Sequence, residues 1–548
     1  MRFARILVYS LIGLFLQTFD FSGLGGASAR YSESVFYHMV APQYGTGRLA
    51  AAGASRSDGP HWNTDISVIL LDDAALGKND RSRFRGSDGR GISWPVPLAY
   101  HVALLSDLYE TYRPNAIMVD ILFLDRRDGD QAAVDAFVAL IERIGRDPDA
   151  RLYLAASNPA RACTDVIGPV ADTATLAAVA WRENDGEKPL YYPLATGAGL
   201  IRDGVAAQIF CDGSRTTAAA AFAMYRYLCL RAVVYGTTFA PNCAGLSVPR
   251  PLRDGLVRLR KIRSGGAVAL TATDRKILAE HESALQEIVA DWERQFALPM
   301  QTVWGVKAPQ LNWEQADQGV FCRAQNQWIL GRGYDLLIAN FLGNPASVRQ
   351  TCPYPQVIKA RDFMDGEFRS DTDVVQAFRT ALAPEPDGPP KIVFYGASLV
   401  GARDAVQTPT HGKTPGVFLH AMALDNLLTF GAGYIRERDG FDPVLLSLNW
   451  GFALLVAIVS VLSLDLKTRF AADGMSRVKR GALTVATLLT GWVVIGFVIY
   501  VSFYWLRLAP VNWLGFLGLT VVLQIPWVDS AISRIIGWTG NRLQKAGA

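Results

Sequence analysis

The pattern of apolar and polar residues predicts alternating strands and helices in the first third of the chain. Apolar runs of strand length occupy residues 66–71, 116–123 and 151–156. Between them, residues 98–112 and 132–144 carry apolar side chains at helical spacing. Strands that alternate with helices in this way are typical of a parallel sheet with right-handed crossovers. We therefore expect an α/β fold.

The stretch from Lys391 to about Leu464 is the one around which we expect the chain to be organised. An apolar strand at 392–395 stops at Gly396, and a polar loop then leads to a predicted amphipathic helix at 417–430. Residues 444–464 follow closely and carry no charge. A folded α/β edge joined by a short connector to a membrane helix is suited to transmitting a state across a membrane, or to rigid anchoring.

Three apolar segments near the C-terminus, at 444–464, about 481–505 and about 511–528, predict transmembrane helices. An N-terminal apolar run at 6–19 is short for a span, so a retained anchor competes with a cleaved signal peptide. Basic residues between the first two spans and after the third place both regions in the cytoplasm and about 22–442 outside. These residues are Lys467, Arg469, Arg477, Lys479, Arg480, Arg534, Arg542 and Lys545.

The predicted organisation is an anchor or signal at 1–21, a Gly- and Ala-rich linker at 22–65, an outer domain at 66–442, three spans within 443–530 and a short tail at 531–548. Within the outer domain, we interpret about 158–385 as insertions that include helices at 218–230 and 274–296.

Cysteine usage agrees with an outer domain in an oxidising compartment. The six cysteines all lie between residues 22 and 442, which favours disulfides, although 15 pairings are open. They are Cys163, Cys211, Cys229, Cys243, Cys322 and Cys352. The formal net charge of +4 is too small to favour nucleic-acid binding.

Local motifs at both ends of the outer segment carry a family resemblance. The first strand ends in Asp72-Asp73, a Trp94-Pro95-Val96-Pro97 turn precedes the first helix, and Arg113-Pro114 precedes the second strand. Near the far end, Tyr395-Gly396, Asp404, Thr408-Pro409, Pro415-Gly416-Val417 and His420-Ala421 follow in order. The chain resembles the CHASE2 domain, an extracellular sensor module of bacterial transmembrane receptors. The resemblance covers both ends of about 30–440, and the middle matches poorly.

The resemblance implies a membrane-bound sensor in the bacterial inner membrane with a periplasmic domain. Family members usually carry arginine where this chain has Leu98, so a contact of that arginine is in doubt here. They usually continue into an output domain, whereas about 20 residues follow the last predicted span. We therefore expect signalling to a separate protein partner, in a possible homo-oligomer, without enzymatic activity and without a cofactor or metal.

Aspartates cluster after the predicted strands, at the edge where open α/β sheets place ligand crevices. We weigh three interpretations of Asp72, Asp73, Asp120, Asp125, Asp128, Asp130 and Asp404: helix and turn capping, a ligand or cation crevice, and acid/base catalysis. Capping is the favoured one. The candidate ligand-binding residues are Asp72, Asp73, Trp94, Asp120, Asp125, Asp404 and His420.

Two further functions stay open beside the sensor. One is a structural subunit of an envelope complex that binds no ligand. The other is an extracytoplasmic metal-dependent hydrolase with a metal ion in the acidic crevice. A separate and less favoured interpretation is a nucleophilic triad of Ser398, Asp404 and His420 in hydrolase order. Val400 replaces the second glycine of the nucleophile motif, which argues against that triad.

Overall fold

The computed structural model describes much of the chain, with gaps. The residues it describes are 5–12, 32–33, 35–41, 44, 66–76, 94–123, 131–156, 168–179, 191–196, 217–235, 242–243, 245–264, 271–305, 354–364, 372–385, 388–399, 404–408, 410–436, 443–472, 476–506, 513–522, 525, 528, 530–532 and 534.

Twelve strands lie in this part of the chain. They are β1 Ile66–Asp72, β2 Ala116–Asp120, β3 Arg151–Ala156, β4 Thr175–Ala178, β5 Tyr191–Tyr192, β6 Ala195–Thr196, β7 Thr217–Ala218, β8 Met300–Gln301, β9 Gln356–Lys359, β10 Ile392–Ser398, β11 Ala405–Thr408 and β12 Gly412–Pro415.

The α-helices discussed below come from the same described residues, and we number them in chain order. They are α1 Asp73–Leu76, α2 Leu98–Tyr112, α3 Gln131–Arg146, α4 Gly168–Thr173, α5 Ala220–Tyr235, α6 Arg250–Ser264, α7 Ala272–Glu293, α8 Ala360–Met364, α9 Thr372–Leu382, α10 Gly416–Phe430, α11 Pro443–Ala472, α12 Arg477–Leu506 and α13 Trp513–Val522.

Six strands form one parallel sheet in the order β4-β3-β2-β10-β1-β9. The mixed α/β class and the parallel sheet that the sequence predicts are confirmed. The strand that comes late in the sequence, β10, lies between β1 and β2, so Gly396 stands beside Asp120 on one side and Leu70 on the other. The two ends of the outer segment thus meet at the centre of the sheet.

Side-chain alternation along the strands gives the sheet two covered faces. On one face, Val119, Leu154 and Tyr395 are buried in a core shared with helices α2, α3, α8 and α9. On the other face, α10 contacts β10 and β1 and also packs against α5. Burial on both faces explains why the central strands read as continuous apolar runs.

The region that the sequence assigns to insertions contributes to the core of the domain. It supplies both edge strands of the sheet, β4 and β9, together with the covering helix α5. A disulfide between Cys229 and Cys243 joins the second half of α5 to the segment that follows the helix. The pattern of apolar and polar residues does not predict these edge strands, because each has only four residues.

The chain divides into two compact units. One comprises Val40–Arg182 and Leu190–Tyr434 and contains the sheet. The other comprises Met1–Met39, Glu183–Pro189 and Ile435–Ala548. In this second unit α11 and α12 approach closely, since a Cβ added to Gly491 would lie 2.6 Å from Cγ1 of Val459.

Helices α11, α12 and α13 overlap the three segments predicted to span a membrane. Within the residues that the structure describes, no helix meets the combined length and hydropathy expected of a membrane span.

Candidate functional site

The first turn of α10 lies directly over the centre of the sheet. A Cβ added to Gly396 would lie 2.6 Å from Cβ of Val417, so glycine is what allows the helix to approach β10 so closely. Asp120, the last residue of β2, is the register neighbour of Gly396. One helical turn after Val417, α10 carries His420 to the carboxyl end of β2.

Asp120 and His420 form a buried contact between the sheet and α10. Their closest atoms, Oδ1 of Asp120 and Nε2 of His420, are 3.7 Å apart, and the two side chains are only 9% and 5% exposed. The other ring nitrogen of His420, Nδ1, is 2.8 Å from the hydroxyl of Tyr192. That hydroxyl accepts a hydrogen bond from the backbone N–H of Ala221 at 3.0 Å. The chain of contacts therefore joins β2, α10, β5 and α5.

The hydrogen bonds of Tyr192 assign the tautomer of His420. Because the backbone N–H of Ala221 only donates, the phenol oxygen accepts there, and the phenol proton is best used in a bond to Nδ1 of His420. The imidazole proton then lies on Nε2 and faces Asp120. Burial lowers the pKa of His420, with a small opposing effect from the Asp404 carboxylate, so the ring is neutral near pH 7.

One carboxylate oxygen of Asp120 lacks a hydrogen bond within the described part of the chain. Its Oδ2 atom is buried and has no hydrogen-bond partner among the described residues. Burial away from water disfavours the charged carboxylate and raises the pKa of Asp120 well above its ordinary value. A buried carboxyl group in this condition binds protons readily near neutral pH.

Asp404 brings a second carboxyl group to the same place. A Cβ added to Gly416 would lie 2.4 Å from its Oδ1 atom, and the backbone N–H of Gly416 donates to its carbonyl oxygen at 3.2 Å. Desolvation and then the charge of Asp120 raise the pKa of Asp404, while His420 lowers it. More than a third of the residue is exposed and it lies at the positive end of α10, so we take Asp404 as the member that ionises first.

Comparison with known families identifies the chain. The sequence profile of the CHASE2 domain matches residues 44–464. The chain belongs to the CHASE2 domain family. This family consists of extracellular sensor domains, which confirms the resemblance and supports a sensor module. No curated protein and no solved structure matches the chain.

Three candidate residues of this CHASE2 chain lie away from the Asp120–His420 contact. Asp72 caps the short helix α1, where its Oδ1 accepts from the N–H of Ala75 at 2.9 Å. Asp73 is exposed in the first turn of α1, and Trp94 is 39% exposed before a cis peptide bond to Pro95. Capping, the favoured interpretation of the aspartates, therefore describes Asp72.

The remaining positions singled out from the sequence are three aspartates after β2 and Leu98. Asp125, Asp128 and Asp130 lie outside the described residues. Leu98, which replaces the arginine usual in the family, is buried at the start of α2.

The contacts of His420 bear on the proposed triad with Ser398. Its ring nitrogens Nδ1 and Nε2 lie near the Tyr192 hydroxyl and the Asp120 carboxyl group, respectively. Among the described residues, no group of three or more His, Cys, Asp or Glu side chains is arranged to hold a metal ion.

Sequence reasoning missed Tyr192 as a member of the site. The residue belongs to a two-residue strand and is 228 positions from His420, and no local pattern relates the two. A second buried network fixes the C-terminal half of α10: Asn426 bonds both the N–H and the carbonyl of Val303 at 2.9 Å, and Tyr44 donates to Asp425. These bonds hold the helix that carries His420.

Proposed function

We propose that this CHASE2 chain is a membrane-anchored, extracytoplasmic sensor module without enzymatic activity. The receiving site is the polar cluster of Asp120, Asp404, His420 and Tyr192. The observation that carries the proposal is the buried Oδ2 of Asp120, which has no hydrogen-bond partner among the described residues and lies next to the helix that leads toward the C-terminal region.

The connection from the site to the C-terminal helices supports this role. His420 lies on α10, and the next α-helix along the chain is α11. A change in the cluster therefore acts on the element that precedes the C-terminal helices, and those helices would act on a separate protein partner. A signal shifts such a system only by its different affinity for the two states.

The membrane part of the proposal rests on the sequence. Residues 444–464 carry no charge, and basic residues at Lys467, Arg469, Arg477, Lys479 and Arg480 follow them. Such a pattern favours an inner-membrane anchor with the CHASE2 domain in the periplasm.

The test is whether a change in the site alters the packing of α11 against α12. Val459→Cys combined with Gly491→Cys provides the reporter, because a Cβ at Gly491 would lie 3.5 Å from Cβ of Val459, within disulfide range. We expect Asp120→Asn and His420→Gln to change the rate of this disulfide by about fivefold or more, the lower end of typical coupling between sites. The full chain in lipid nanodiscs is used, and peptide mass spectrometry identifies the bond.

The matched control is Asp135→Asn, an exposed carboxyl group on α3 in the same compact unit. This variant should leave the disulfide rate unchanged. If the two site variants behave like the control, the module does not transmit from this site, and the scaffold subunit becomes the better description.

A further inference from the structure

We propose that Asp120, Asp404 and His420 form a proton-operated latch, in which one bound proton holds the first turn of α10 on the sheet and its release loosens that turn. The inference rests on the proposed function only in using the same site. It identifies the proton as a signal that the site reads.

The geometry places the three groups on three different segments. Asp120 ends β2, His420 lies on α10, and Asp404 lies in the segment before β11, against the first residue of α10. Movement of α10 away from the sheet would separate His420 from Asp120, which are 3.7 Å apart. The charge of this cluster and the position of the helix are thus coupled.

Charge counting gives the direction of the effect. With Asp404 ionised and Asp120 protonated, the cluster holds one negative charge beside a neutral imidazole. Release of the Asp120 proton adds a second anion to a nearly dry site, where repulsion is far stronger than in water. The raised pKa of both carboxyl groups and the lowered pKa of His420 agree with this assignment.

Within the described residues, no lysine or arginine pairs with either carboxylate, so none of them neutralises the second charge. On α5, Arg226 pairs with Glu293 and Arg231 with Asp149, and Lys413 on β12 is exposed. Other titratable groups on these elements bond elsewhere. They include Tyr192 on β5, bonded to His420; Tyr225 on α5, bonded to the Asn242 carbonyl; Tyr153 on β3, bonded to the Ala223 carbonyl; Asp72 on β1, capping α1; and Asp425 on α10, bonded to Tyr44. Tyr227 also lies on α5.

The point of action is the first turn of α10. The Asp404 carboxylate lies against Gly416, so repulsion from an ionised Asp120 acts on the residue where the helix begins. The C-terminal half of the helix is held by hydrogen bonds between Asn426 and Val303. We therefore expect the N-terminal turn to loosen while the C-terminal half of the helix stays in place.

Hydrogen exchange of the full chain in nanodiscs tests the latch. The N–H groups of 420–423 report the first turn, because they bond the carbonyl groups of 416–419. Peptides that cover 420–423 are compared with peptides that cover 426–430 at about pH 5.5 and about pH 8, after correction for the intrinsic exchange rate. We expect protection of the first turn to fall about tenfold at the higher pH, as for a shift of about one pKa unit. Protection of the C-terminal half of the helix should change little.

Variants separate the latch from a general effect of pH. Asp120→Asn mimics the protonated group and should make the first turn equally protected at both pH values. Asp404→Asn removes the charge that repels an ionised Asp120, so it should reduce the pH response without abolishing it, because burial alone still raises the pKa of Asp120. Asp135→Asn should keep the wild-type pH response. A tenfold response that persists in both site variants, or no response in the wild type, would overturn the latch.

The two tests fail independently. The disulfide reporter asks whether the site is coupled to α11 and α12, and hydrogen exchange asks whether the site is operated by a proton. A site that moves the reporter but shows no proton-dependent exchange is a sensor of another signal. Proton-dependent exchange without an effect on the reporter leaves a latch that is not coupled to those helices.

Discussion

At the scale of single residues, the buried carboxyl group of Asp120 makes stability depend on pH. Its pKa in the folded protein is raised to about 7, so the folded state binds this proton more tightly than the unfolded state. The stabilisation is fully present below the unfolded pKa of about 3.9 and is lost as pH rises through the folded value. The pKa of His420 is lowered to about 4, so its contribution changes in the opposite direction.

The first prediction concerns this pH dependence. We expect the free energy of unfolding of the unit that contains the sheet to fall by on the order of 1 kcal/mol between about pH 4.5 and about pH 7.5. Asp120 outweighs His420, and Asp404 adds only part of its shift because solvent screens this exposed group. Asp120→Asn should flatten the curve, and His420→Gln should steepen it. Pulse proteolysis of the full chain in urea measures the effect. Equal slopes in wild type and Asp120→Asn would contradict the assignment.

Part of the site follows from sequence at this scale. Asp120 and Asp404 were candidates because carboxyl ends of parallel strands share one edge of the sheet. His420 was a candidate through the family motif. Asp72 instead accepts a hydrogen bond from a local backbone N–H, because Ala75 lies three positions further along, in the first turn of a helix. Tyr192 could not be predicted, since its position depends on the path of a long intervening segment.

At the scale of elements, the contact of β10 with α10 determines where the site forms. Gly396 removes a side chain at the closest approach, so Val417 packs against the strand backbone. Because α10 lies so close to the sheet, Nε2 of His420 comes to 3.7 Å from Oδ1 of Asp120. A small increase in that distance would open the contact without changing any residue of the site.

We predict that Gly396→Ala lowers the free energy of unfolding by about 1–3 kcal/mol, because the added methyl group overlaps Val417. Combining it with Val417→Ala should recover part of the loss. Gly145→Ala on α3 is the control, since a Cβ there meets no atom within 4 Å, and it should be neutral or stabilising. Urea unfolding curves of the full chain compare the variants, and equal losses in both glycine variants would contradict close helix–sheet packing.

The elements with strong periodicity were predictable almost to the residue. Helix α2 occupies Leu98–Tyr112, and β3 occupies Arg151–Ala156, as the pattern indicates. The edge strands β4 and β9 were not, because Thr175–Ala178 and Gln356–Lys359 are too short to show a period. Their place in the sheet is set by pairing with β3 and β1.

At the scale of the whole molecule, one compact unit holds the sheet and the other holds α11 to α13. The unit with the sheet ends at Tyr434, four residues after α10. A sensor of this kind requires that the two units lie in different environments. Orientation relative to the membrane is therefore the property on which the proposed function depends most.

We predict that the two units differ in their accessibility from outside the cell. A membrane-impermeant maleimide should label Asp135→Cys on α3 in intact cells, but should label Ser476→Cys, just before α12, only after the inner membrane is permeabilised. Both positions are exposed, so a difference in labelling reports the side of the membrane. Peptide mass spectrometry separates each new thiol from the native cysteines.

The opposite result would place the basic residues around Arg477 outside, against the distribution that the positive-inside rule predicts. Labelling of both positions in intact cells would mean that both lie on the same, outer side of the inner membrane. In either case the Asp120–His420 contact would still exist, because it lies within one compact unit. It would then respond to protons in a different compartment, and the transmission step of the proposal would be lost while the latch remained.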